Sequence, residues 1–110
     1  MRLLPLFVAV HKWTQDVHIT ILKEMIVGFT DLLEGTAPEG IELLHTWQRP
    51  DFGAFCVWDA PGEKALEGFF KKFGPTMLKH TEFVPVDQVY PPSMEYVLSL
   101  FQAIVDMASA

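Results

Sequence analysis

The side chains able to do chemistry are few in this chain, and several fall around one turn. His45 and Trp47 precede it, Cys56 and Trp58 follow it, His11 closes an early apolar run, and Asp87 lies in a later β-prone stretch. If Glu42 to Trp47 and Ala54 to Trp58 are the arms of a β-hairpin, alternation collects Leu43, His45, Trp47, Cys56 and Trp58 on one sheet face. Leu44, Thr46, Phe55 and Val57 take the other. The first set mixes indoles, an imidazole and a thiol, which reads as a pocket wall or a partner surface.

Imidazole and thiolate suit zinc, nickel or copper, which makes His11, His45 and Cys56 the candidate metal ligands. They converge if the strands are ordered 4-1-3-2. The chain has no Cys-x-x-Cys and no His-x-x-x-His, so a transition metal is admitted by these residue types and required by none of them. Acid–base chemistry is the second option, with His11 or His45 titrating near neutral pH and Asp87 orienting the ring. Trp13, Trp47 and Trp58 are the candidate ligand-binding residues, suited to stacking on a flat organic molecule and equally to filling a subunit interface. His18, early in a helix, reads as solvent-exposed or as a helix-edge contact. His80, beside Lys79, reads as a partner of a helix's carbonyl end. The lone cysteine forms no internal disulfide, leaving Cys56 as a buried filler, a reactive thiol or a ligand. No phosphate-cradling glycine motif or nucleophile signature is present, which argues against phosphoryl and acyl transfer.

Composition narrows the classes further. With 110 residues, 50% of them hydrophobic, the chain fits a single domain with a modest core. A formal charge of −6 and the lack of a Lys/Arg cluster argue against nucleic acid and against anionic membrane as partners. The longest apolar runs, 3–10 and 97–105, are too short or too interrupted to span a bilayer. The first of them faintly imitates a signal peptide, but His11-Lys12-Trp13 follows where small residues around a cleavage site belong. A cytoplasmic location is therefore expected.

The elements that must position these residues follow from periodicity. Leu4 to Trp13 reads as a strand, with Pro5 at its beginning because it has no N–H for a ladder. Thr14 is placed as a helix cap, with Leu22, Met25, Ile26, Phe29, Leu32 and Leu33 as the helix's apolar stripe and Gly35 as its stop. Ile41 to Gln48 forms the second strand. Arg49 to Gly53 carries turn chemistry. Centring the turn on Pro50-Asp51 sets Leu43 opposite Trp58, His45 opposite Cys56 and Trp47 opposite Ala54; a bulge at Gly53 would shift this by one. Asp59-Ala60-Pro61 has the look of a helix entrance, and Leu66, Phe69, Phe70 and Phe73 form that helix's stripe before Gly74-Pro75. A short turn at Thr76 to His80 leads to a fourth strand, Thr81 to Tyr90. Pro91-Pro92 then breaks the chain, and Ser93 caps a last amphipathic helix carrying Met94, Val97, Leu98, Phe101, Ile104, Val105 and Ala108.

This order is α+β, the ferredoxin-like βαββαβ pattern with a four-stranded antiparallel sheet, over 1–92, and an additional C-terminal helix over 93–110. Crossover helices cover one sheet face. The expectation is Leu6, Val8, Val10, Leu44, Phe55, Val57, Val84 and Val86 beneath them. Phe7, Ala9, His11, Trp13, His45, Trp47, Cys56, Trp58, Phe83 and Asp87 are then left on the open face, an apolar area that something must cover.

From Ala37 through Trp47, Gly53 to Ala60, Ala65-Leu66 and Phe83 to Val86, the chain resembles the dimeric α/β-barrel superfamily, and within it small uncharacterised prokaryotic proteins. The resemblance implies a homodimer built on this fold. That superfamily includes cofactor-independent monooxygenases, lactone isomerases, haem-degrading enzymes and small metal-binding proteins, so it implies no single activity. The functions left open are a homodimer binding a small apolar ligand or a metal ion, an oxygenase- or isomerase-type enzyme using His11 or His45, and a structural or regulatory dimer. In such enzymes the cavity often lies between the sheet and the helices.

Overall fold

The computed structural model describes residues 6–89 and 93–109. The expectations placed on Leu4, Pro5, Tyr90 and Pro91-Pro92 lie outside them. Four strands, β1 (Leu6–Lys12), β2 (Glu42–Gln48), β3 (Gly53–Asp59) and β4 (Thr81–Val86), form one antiparallel sheet in the order β2-β3-β1-β4. The helices are α1 (His18–Glu34), preceded by a 3-10 turn at Gln15–Val17, then α2 (Glu63–Phe73), α3 (Pro75–Lys79) and α4 (Met94–Ser109). The chain is α+β, and its open sheet with helices is compatible with a ferredoxin-like arrangement.

Local chemistry explains most of the boundaries. Gly35 ends α1 in the left-handed region at φ 73°, where a side chain would be strained, and its N–H reaches back to the Asp31 and Leu32 carbonyls. Thr14 makes no side-chain cap to the helical N–H groups; its hydroxyl is taken by Asp16. Asp59 does not open α2 as expected, because its backbone is paired in the sheet with both Leu6 and Glu42, and the helix starts at Glu63. Glu63 at the start and Lys71 and Lys72 at the end of α2 complement its dipole. Pro75 begins α3 at a position where a missing N–H costs nothing. The next two N–H groups, of Thr76 and Met77, donate to the Glu24 carboxylate at 3.2 and 2.8 Å, so a side chain from α1 caps α3.

The faces of the sheet are the reverse of the sequence expectation. Phe7, Ala9, Ala54, Cys56 and Trp58 are buried in one cluster with Ile21 of α1, Leu66, Phe69, Phe70 and Phe73 of α2 and Met77 of α3, and Phe83 packs against it. Small residues decide this. Ala9, Ala54 and Cys56 leave depth for three phenyl rings from α2, which a valine surface would hold off. Val8, Val10, Val57, Val84 and Val86 are only half-buried on the opposite, open face, together with exposed Phe55; Leu6 on that face is buried.

A second correction concerns β2. Its pairing slips between Leu43 and His45, so that Leu43 opposes Trp58 but His45 opposes Val57, Thr46 opposes Cys56 and Trp47 opposes Phe55. The extra residue is Leu44. A bulge of this kind inverts every side chain beyond it, which sends His45 and Trp47 to the open face and brings Thr46 in beside Cys56.

On α1, Ile21 and Gly28 are buried and Met25 and Leu32 pack on the core, whereas Ile26, Phe29 and Leu33 from the expected stripe are exposed. Gly28 allows the close approach of α1 to α2: a Cβ there would lie 2.6 Å from the Phe73 ring. Strand β4 stops at Val86, short of its expected end, and Asp87 follows it as an exposed residue outside the sheet.

Candidate functional site beneath the helical layer

His11 is fully buried on β1, under the helices. Its ring stacks on Phe70 with centroids 5.9 Å apart and planes 16° from parallel. The strand register sets it beside Thr81 of β4, and Nδ1 lies 2.6 Å from the Thr81 Oγ1. That hydroxyl donates its one proton to the Met77 carbonyl, 2.7 Å away. Nδ1 of His11 must therefore carry the proton it shares with Thr81, and Nε2 is left as a bare acceptor. Among the described residues nothing donates to it.

The relay fixes which tautomer is present, and Glu24 anchors it from below by capping the helix that carries Met77. Burial pushes the imidazole pKa down to about 4, so the ring is neutral at physiological pH. Trp58 borders the same aromatic wall. Its indole is edge-on to Phe70 at 5.6 Å and to Phe69 at 6.0 Å, and its Nε1–H is the second buried polar atom on this face without a partner among the described residues. An acceptor and a donor left unmet in an apolar setting each cost about 1–3 kcal/mol.

The remaining candidates are distributed elsewhere. His45 stacks on Trp47 at 5.1 Å and 12° on the open face, across the sheet from His11 and Cys56. The expected meeting of His11, His45 and Cys56 does not occur, and no group of three or more His, Cys, Asp or Glu that could hold a metal ion is found among the described residues. Cys56 is buried next to the Thr46 hydroxyl, which donates to Sγ across an Oγ1–Sγ distance of 3.6 Å; burial pushes the thiol pKa up, which keeps it protonated. Asp87 is exposed beyond β4, so the sheet does not hold it in place to orient a histidine ring. Trp13 is buried past the end of β1, and its indole N–H donates to Nδ1 of His18 at 3.0 Å, with Phe52 against the His18 ring. His18, half-buried at the start of α1, thus makes the helix-edge contact, one of its two expected roles. His80 terminates α3, and its carbonyl accepts from the Lys12 N–H.

Sequence reading missed Thr81, Met77, Phe70 and Glu24 as parts of this site. The signal available was the β1–β4 register, which alone puts a threonine next to His11. No helix of the described residues is long and apolar enough to cross a membrane. Comparison of the chain with family models, with curated proteins and with solved structures gave no match.

Proposed function

We propose that the protein is a homodimeric, cytoplasmic binding module of the dimeric α/β-barrel type, which holds a small, largely apolar molecule bearing one hydrogen-bond donor between its sheet and its helices. The observation that carries this is the bare Nε2 of His11, fully buried, held in one tautomer by Thr81 and Met77, on a ring stacked against Phe70. Hydroxylated aromatics suit that chemistry, since their hydroxyl can donate to Nε2 and their ring is apolar. An imidazole whose pKa is about 4 accepts a hydrogen bond well and retains a proton poorly, which favours binding over the proton transfer an isomerase or oxygenase would ask of it. The metal reading has less support, since His45 lies on the far side of the sheet and Cys56 is held as a thiol.

Phenol and toluene, equal in shape and different in one donor, test the reading. Phenol should raise the melting temperature of the full chain and move the Nε2 resonance of His11 in nitrogen-resolved NMR, toluene should do neither, and His11→Phe should abolish the phenol response. Equal responses to the two probes, or a phenol response that survives in His11→Phe, would refute it.

A further inference from the structure

Helix α4 is built as an interior helix and has no interior. Its residues Tyr96, Val97, Leu100, Phe101, Ile104 and Met107 belong to an apolar arc of roughly 220°, with Glu95, Ser99, Gln102, Asp106 and Ser109 on the narrow remainder. Only Val97 is buried, and α4 has no extensive contact with any other element. The radius of gyration is 16.7 Å, against about 13 Å for a compact chain of this length, as a helix standing off the body requires.

The same chain leaves a second apolar surface uncovered, the open sheet face of Val8, Val10, Val57, Val84 and Val86 with exposed Phe55 and Trp47. We propose that α4 is an exchanged arm: in a homodimer, each copy lays its α4 across the open sheet face of the other. This rests on the homodimer part of the reading above and not on its barrel part, since an arm seated there keeps the two sheets from meeting face to face.

Self-complementarity selects a second copy as the occupant, since one two-fold operation covers both surfaces on both chains. The area is sufficient. Met94, Tyr96, Leu98, Phe101, Ile104, Val105 and Met107 are each 52–78% exposed. Tyr96 and Phe101 belong to the 150–250 Å² class and the aliphatic side chains lie somewhat below it, so together they leave on the order of 800 Å² per helix, about what each partner gives to a stable interface. Glu95 and Asp106 sit on the polar remainder of α4, so docking of its apolar arc leaves both in solvent. Lys12 and Arg49, at the border of the open face, are already paired with Asp51 at 3.7 and 2.8 Å, so the face meets the helix through its apolar side chains.

The full-length chain tests the proposal by disulfide trapping. Chains carrying Val8→Cys are mixed with differently tagged chains carrying Leu98→Cys, Phe101→Cys or Val105→Cys, native Cys56 being buried. Trapped pairs joining the two tags are expected for at least one helix position. Helix-to-helix disulfides alone, closure within one chain carrying both substitutions, or a dimer that traps at none of the three positions overturns the arm. A double variant Leu98→Glu/Phe101→Glu, altered where the free chain is already exposed, should keep its circular dichroism spectrum and weaken dimerisation at least 100-fold. An undiminished dimer in that variant overturns the arm and leaves the homodimer intact, whereas a monomeric parent chain overturns both.

Discussion

Acidification should destabilise this protein through His11. The ring's pKa falls from the ordinary 6.5 to about 4 because burial disfavours the imidazolium. Between those values the unfolded chain binds a proton that the folded chain refuses, so stability rises with pH across this window. The contribution is fully present above pH 6.5 and is lost as the pH falls towards 4. At 1.36 kcal/mol per pKa unit, the loss is about 2 kcal/mol by pH 5 and about 3 kcal/mol by pH 4. That is a large share of the stability of a chain this size. The assay is urea unfolding followed by circular dichroism at half-unit steps from pH 7.5 to 4, on the parent chain and on His11→Phe. The phenyl ring keeps the stack on Phe70, lets Thr81 go on donating to Met77 and titrates nowhere. Carboxylates and other histidines contribute equally to both proteins and cancel in the difference, which should shift by about 3 kcal/mol between pH 7.5 and pH 4. An identical pH slope in the two proteins, or a His11 resonance titrating near 6.5, would show that the ring is not held dry beneath α2.

Further outcomes follow from the packing. Gly28→Ala should cost about 1–3 kcal/mol, since the new methyl meets Phe73 of the packed α2 at 2.6 Å, while Gly68→Ala, in α2 with open space around it, should gain about 0.5–1 kcal/mol; melting temperatures of the two variants should move in opposite directions. Glu24→Ala removes the cap of α3 and should cost about 1 kcal/mol in urea unfolding, with a shift of the Thr81 amide resonance that a surface substitution such as Glu67→Ala would not give. Native Cys56 should react with a thiol reagent at least tenfold more slowly than the urea-unfolded chain at pH 8, its thiol being buried and pushed up in pKa.

Periodicity in the sequence determined a good deal: four β-prone and several amphipathic helical segments, the turn at Arg49 to Gly53, the stop at Gly35, the phenylalanine stripe of α2, and the partition of β1, β3 and β4 residues into two sets of alternating neighbours. It also singled out His11, Cys56 and Trp58 as companions. Alternation is symmetric, however. It says which side chains share a face and is silent on which face the helices cover. That choice was made by volume, because the phenyl rings of α2 need the shallow floor of Ala9, Ala54 and Cys56, and it moved His11 from an expected open surface into the core. One added residue at Leu44 then decided the fate of His45 and Trp47, since a slip by one inverts a strand and leaves no trace in composition. The acceptor state of His11 depends on Thr81 and Met77, about 70 residues further along the chain. Only strand pairing and the Glu24 cap on α3 bring those groups to the ring, so its chemistry belongs to the tertiary structure.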